Sequence, residues 1–269
     1  RRRHNEHRLA KTNLIYFSEN DITEALKIGV YNCLSYSDVL EKQKSSGFSL
    51  SANTLKNVHK SNIKKSCFVP LLDSDAPHES ANNICRTLVQ QGIIPTERSK
   101  FINQVPDLLK SEQINNLVIV DDCVGSGDQL RHFWEKTKID VDDLSLSIKE
   151  LCEKYRVKAN YLTLFGYNKS INKLRNEFPD LNIICVRELS DEHRVFSNSS
   201  YIWNDVEEKE KAFTLFNSLA KNAGIPIYGY KQLDFAFVMH KTIPDWSLPI
   251  FWKENSDWKL LLRRKNSND

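Results

Sequence analysis

Short unbroken apolar runs, separated by stretches of helical periodicity, organise the chain from residue 66 onward. SCFVPLL (66–72), NLVIV (116–120), ANYLTLFGY (159–167), LNIICV (181–186) and FAFVMH (235–240) are too short for core helices and rich in β-branched or aromatic residues. They predict buried strands. Helical patterns fill the intervals, at 79–91, 127–137, 144–156, 168–178 and 205–222. The last opens with Asp205 and Glu208 at capping-box spacing and runs out near Gly224 and Pro226. Strands alternating with helices predict an α/β fold, a mostly parallel sheet flanked by helices on both faces.

The opening region reads differently. DITEALKIGVYNCL predicts a helix, Ser, Asn and Lys then dominate residues 43–66, and no strong strand pattern occurs. The expected division is therefore a helical N-terminal subdomain or hood over 1–65 and an α/β domain over 66–269.

Composition narrows the class without deciding it. Forty per cent hydrophobic and 27% charged residues in a 269-residue chain describe a folded globular protein. A balance of 38 basic to 35 acidic residues gives +3, too small to imply nucleic-acid binding from charge alone. The basic ends, RRRHNEHR and LLRRK, are either phosphate contacts or solvated termini. The six cysteines include no CxxC pair, and Cys67, Cys85, Cys123 and Cys185 sit in apolar segments. Reduced thiols of a cytoplasmic protein are expected, with neither a disulfide nor a thiolate metal site. No membrane span or signal-peptide h-region is visible. The chain opens at Arg1 and its one methionine is Met239, which predicts that residues precede Arg1 in the full protein.

The chemistry concentrates in NLVIVDDCVGSGDQLRHFWEK (116–136). LVIV reads as a central strand, so Asp121 and Asp122 fall at its carboxyl end, where parallel sheets place ligands. Gly125 and Gly127 permit a sharp turn whose amides can point at an anion, and the Ser126 hydroxyl adds a donor. In the alternative reading, the glycines simply make a tight βα turn and the aspartates cap the helix. Adjacent carboxylates repel unless cations or hydroxyls use them, which favours a ligand.

Four apolar residues, two acids, two variable positions and a small-hydroxyl-glycine turn resemble the phosphoribosyl pyrophosphate (PRPP) signature of type I phosphoribosyltransferases. The resemblance implies that Asp121 and Asp122 hold the ribose hydroxyls as the catalytic pair, directly or through magnesium-bound water. It also implies that Gly125, Ser126 and Gly127 wrap the 5′-phosphate. Asp128 and Gln129 stand where the family has a small residue and a Thr or Ser. Asp128, at a phosphate-binding position, either turns outward to the helix dipole or closes the cradle. The family's pyrophosphate loop has its counterpart in LLDSDAPHESANNICRTL, with Ser74, His78 and Ser80 as donors and Arg86 nearby. Asp73, Asp75 and Glu79 oppose a bare pyrophosphate there, so magnesium would bridge it. A capped helix start on Asp75 or Ser80 is the other reading.

Three segments, DDCVGSGDQL, RELSDEHRVFS and HKTIPDWSLPIFWKENSDWKLLLRR, resemble divergent phosphoribosyltransferase-like domains of bacterial conflict and antiphage systems, including retron-associated ones. That resemblance implies a defence effector or toxin binding PRPP or a nucleotide, with chemistry at the anomeric carbon. Defence-system proteins and nucleic acid, as in a reverse transcriptase complex with its DNA product, would be partners, and no membrane is involved. A non-catalytic sensor and a nucleoprotein scaffold are the alternatives. Secondary candidates are His132, the pair His193 and Arg194, and the tryptophans Trp246, Trp252 and Trp258, which either stack on a base or pack the tail onto the core.

Overall fold

The computed structural model describes residues 14–72 and 80–253. Strand β1 is Ile15–Phe17; α1 (Glu19–Lys27) then runs directly into a π-helical stretch, Ile28–Leu34, followed by α2 (Tyr36–Ser45) and α3 (Ala52–Lys64). Next come β2 (Ser66–Pro70), α4 (Ser80–Gln90), α5 (Val105–Lys110), β3 (Asn116–Val124) and α6 (Asp128–Glu135). A hairpin of β4 (Lys138–Val141) and β5 (Leu144–Ser147) precedes α7 (Ile148–Tyr155), β6 (Lys158–Tyr167), α8 (Asn168–Glu177) and β7 (Leu181–Leu189). The described chain finishes with α9 (Val206–Asn222) and β8 (Phe237–Met239). It divides into two compact units, Ile22–Glu188 and the combination of residues up to Asp21 with those from Leu189 onward.

The Ile22–Glu188 unit is built on a four-stranded sheet in the order β2-β3-β6-β7. β3 is parallel to both of its neighbours, with Val118 opposite Phe68 of β2 and Asn160 of β6. Strand alternation sends Cys67, Val69, Leu117, Ile119 and Tyr161 into one apolar cluster with Leu109 of α5, Phe133 and Trp134 of α6, Leu151 of α7 and Leu174 of α8. Phe68, Val118 and Leu162 occupy the alternate positions and are as deeply buried. Here the π-helical stretch packs so closely that a Cβ on Gly29 would lie 2.8 Å from Leu162 Cδ1. Burial on both faces is why these strands read as continuous apolar runs rather than alternating ones.

One polar row crosses the sheet near its amino end. Asn116 Nδ2 donates to Ser66 Oγ at 2.7 Å, Asn160 Nδ2 donates to Asn116 Oδ1, and Asn182 Nδ2 donates to Asn160 Oδ1 at 2.7 Å. The Ser66 hydroxyl in turn donates to Asn62 O at 2.7 Å. Each of the four strands contributes one side chain, and the fully buried Asn160 has both ends of its amide satisfied.

Two expectations about elements need correction. The helix expected over 144–156 begins at Ile148, because KIDVDDLSLS folds as the antiparallel β4–β5 pair. Its period of two shows in the alternating burial of β4, and Asp142 makes the turn at φ 48°. Ser147 then starts α7 with a complete capping box: its Oγ accepts from Glu150 N at 3.2 Å, and Glu150 Oε2 accepts from Ser147 N at 2.6 Å. The 235–240 run gives a strand of three residues, β8, which pairs in parallel with β1 rather than joining the four-stranded sheet.

In the second unit α9 buries Ala212, Phe216 and Ala220 against Ile202, Trp203, Leu248 and Phe251. Asp205 Oδ1 accepts from Glu208 N at 2.7 Å, while Glu208 Oε2 accepts from Asn204 N at 3.0 Å, one residue earlier than a capping box returns its bond. No helix among the described residues is long and apolar enough to cross a membrane.

Candidate functional site

β3 continues past the apolar LVIV run to Val124, so the two aspartates belong to its last turn of ladder. Leu71 N donates to Val120 O at 2.9 Å on one side, and Asp121 pairs with Thr163 of β6 on the other. Being central costs these carboxyls their water: Asp121 is 5% exposed and Asp122 6%.

Each has found protein donors. Asp121 Oδ1 accepts from Asp122 N at 2.9 Å and its Oδ2 from the Tyr161 hydroxyl at 2.7 Å. Asp122 Oδ1 accepts from Cys123 N at 2.7 Å, and Ser80, the first residue of α4, also hydrogen-bonds the Asp122 carboxyl. Burial pushes the Asp121 carboxyl well above the usual range, the neighbouring Asp122 charge pushes it further, and the Tyr161 bond opposes both. Burial raises Asp122 too, against the bonds from Ser80, Asp121 and Cys123.

The loop after β3 turns on Gly127, whose φ of +83° belongs to the left-handed region. A Cβ there would meet Leu174 Cδ1 of α8 at 2.8 Å, so glycine is required by both conformation and space. Ser126 Oγ accepts from Asp128 N at 3.2 Å, and Gly127 itself is the N-cap of α6. Among the described residues the amides of Gly125, Ser126 and Gly127 donate to no protein acceptor. Amides left over at a strand-to-helix turn are donors that an anion can use.

Arg131, one turn into α6, braces this loop from behind. Its Nη1 donates to Ser126 O at 3.1 Å and to Asp128 Oδ1 at 3.1 Å, while Nε lies 2.9 Å from each carboxylate oxygen of Glu177 in α8. The Asp128 side chain is 41% exposed and ion-paired along the first turn of its own helix. At the start of α8, one strand over from the loop, Asn168 Oδ1 is buried with no partner among the described residues. It follows β6, whose Gly166 pairs with Val124.

Asp121, Asp122, Gly125, Ser126, Gly127 and Asp128 therefore follow one another from the carboxyl end of β3 into the first residue of α6, and Ser80 of α4 bonds to Asp122. Ser74 and His78 lie outside the described residues, as do Asp73, Asp75, Glu79, Trp258, Arg263 and Arg264. Arg86 and His132 are exposed on their helices. In the other unit, Arg194 Nε donates to the fully buried Asp234 at 2.6 Å, and His193 Nδ1 accepts from Ser190 N at 3.1 Å. Trp246 is buried and stacks on Phe237 with ring centres 5.0 Å apart, and Trp252 Nε1 donates to Ser247 O at 3.2 Å. These tryptophans pack the core of their own unit.

Tyr161, Arg131, Glu177 and Asn168 were not among the sequence candidates. Arg131 was readable in principle, three residues after an aspartate at a helix start. Tyr161 was not, because its hydroxyl finds Asp121 through strand register. All six cysteines are unbridged, and burial pushes the thiols of Cys67, Cys85, Cys152 and Cys185 up to about 12. No cluster of three or more His, Cys, Asp or Glu side chains able to hold a metal occurs among the described residues. Three of the four carboxyl oxygens of Asp121 and Asp122 accept protein hydrogen bonds.

No curated protein matches the chain significantly. A solved structure of an orotate phosphoribosyltransferase from Aeropyrum pernix is similar at 12% identity and a TM-score of 0.29, covering 48% of this chain. The matched region spans 62% of that protein. The sequence profile of the PRTase-CE family, in contrast, runs through both units, from residue 10 to residue 264. Matched over nearly its whole length, the chain belongs to the PRTase-CE family and is phosphoribosyltransferase-like.

Proposed function

We propose that the turn after β3 binds the 5′-phosphate of a phosphorylated ribose, PRPP or a nucleotide, while Asp121 and Asp122 take its ribose hydroxyls. The observation that carries this reading is the row of three amides at Gly125, Ser126 and Gly127 that have no acceptor among the described residues, directly beyond a buried carboxyl pair. Ser80 would order the start of α4 against Asp122, linking the second loop to the ribose site.

Catalysis, on this reading, is displacement at the anomeric carbon: the bond from C1 to pyrophosphate breaks as an acceptor forms a new bond to C1. The chain's own residues contribute positioning, with amides fixing one end of the sugar and the acidic pair the other. The negative charge of the pair would also favour the cationic character that develops on the ring. Asp121 and Asp122 would hold magnesium through water, and the ion would supply charge compensation for the pyrophosphate. The role in bacterial antiphage defence, as a cytoplasmic effector, rests on resemblance of the three sequence segments. It is tested by phage challenge of cells carrying the intact system or its Asp121→Asn/Asp122→Asn form. A regulatory sensor without turnover is the second reading, favoured by a carboxylate, Asp128, standing where a phosphate loop carries a small residue.

Calorimetric titration with PRPP, with and without magnesium, tests the site. Micromolar binding that needs magnesium and is lost in the double variant supports it; equal binding by the double variant sinks it. Release of pyrophosphate separates enzyme from sensor.

A further inference from the structure

We infer that Arg131 is the positioning residue of the phosphate loop, and that it works by offsetting the charge of Asp128 so that the amide cradle keeps its attraction for a dianion. The inference rests on the ribose-phosphate reading of that loop. A free carboxylate on the first residue of α6 would face a phosphate seated on Gly125, Ser126 and Gly127 from within a few ångströms and oppose it. The structure reduces that opposition with one side chain.

Arg131 is 20% exposed and held from three sides. Glu177 sets the plane of the guanidinium with two contacts of 2.9 Å to Nε, Ser126 O fixes Nη1 at 3.1 Å, and Asp128 Oδ1 shares that nitrogen at 3.1 Å. Its Nη2 is buried without an acceptor. A guanidinium that leaves a buried N–H unsatisfied is oriented by its other contacts, and those contacts point it at the loop. The i,i+3 spacing keeps the Asp128 carboxylate along the helix flank. The same carboxylate is favourable to the amino end of α6, and the guanidinium beside it weakens its field toward the cradle. Glu177, in the last turn of α8, shares that guanidinium, so the three side chains together carry one net negative charge, held on the side of Arg131 away from the loop at Glu177.

The test is a charge cycle read by titration with PRPP and, separately, with inorganic phosphate. Arg131→Met should weaken both probes about tenfold, and Arg131→Lys, which keeps the charge, should stay within about threefold of the unsubstituted chain. Asp128→Asn alone should tighten both probes about threefold, because the opposing charge is gone. The decisive variant is Asp128→Asn/Arg131→Met, expected to return to within about threefold of the starting affinity. A merely structural brace predicts the opposite, since the bond to Ser126 O is still missing in the double variant. A double variant as weak as Arg131→Met, or an Arg131→Met that binds like the unsubstituted chain, overturns the inference and leaves the ribose-phosphate site standing. An unsubstituted chain that binds neither probe overturns both.

Discussion

The Tyr161 hydroxyl reaches from β6 to β3 and donates to Asp121 Oδ2 at 2.7 Å, diagonally across the register that sets Tyr161 opposite Ile119. This bond orients the Asp121 carboxyl, while Asp122 is held by Ser80 and Cys123 N, and burial raises both carboxyls above the usual range.

Tyr161→Phe removes that donor without changing the packed ring. The expected cost is about 1–2 kcal/mol of stability, measured by urea unfolding. The loss of PRPP affinity should be smaller than that caused by Asp122→Asn. A Phe variant as stable as the parent would show that Asp121 takes its orientation from the backbone alone.

The raised carboxyls also set the pH dependence. An acid whose folded-state pKa lies above its unfolded value of 3.8 binds more protons when folded. Stability then falls as pH rises from 3.8 through the folded-state values, and the penalty is complete above them. Asp121→Asn is expected to raise the unfolding midpoint at neutral pH and to flatten this slope while weakening ligand binding. Urea melts between pH 4 and 8 on both chains check it; an identical slope in the variant would mean that the pair is not buried in solution.

Gly127→Ala places a methyl in the left-handed region and against Leu174. Destabilisation of about 1–3 kcal/mol is expected, together with loss of PRPP binding as the turn opens. Titration of the refolded variant decides whether the two effects travel together.

Asn160→Ala should behave in the contrary way. It strands Asn116 Oδ1 and Asn182 Nδ2 and leaves a small void, for about 3 kcal/mol of stability. The site lies at the other end of the strands, so ligand affinity of the folded fraction should be unchanged.

Much of this was legible in the chain. Apolar runs bounded by polar segments located β2, β3, β6 and β7, because strands buried on both faces cannot hide their composition. The Gly-Ser-Gly turn and the acidic pair were equally visible. The β4–β5 hairpin was not separated from α7, because DDLSLSIKEL carries both periods and the capping Ser147 sits at their junction. Also illegible were the groups that complete the site from a distance: Tyr161, which needs strand register, and Glu177, which sits 46 positions from Arg131. A local pattern announces the loop; its electrostatic setting is written in residues that the pattern does not contain.

The amide row of Ser66, Asn116, Asn160 and Asn182 acts as a ruler for the opposite end of the sheet. Its Asn116 stands five residues before Asp121, about 16 Å along an extended strand. A slip of β3 against β6 by one residue would turn Asp121 toward the wrong face and, at the same moment, strip the buried Asn160 of its partners. Misaligned forms are thus penalised far from the place where they would do harm. The acidic pair, which a slip would carry away from the Tyr161 hydroxyl of β6, is kept in phase by uncharged side chains five residues upstream.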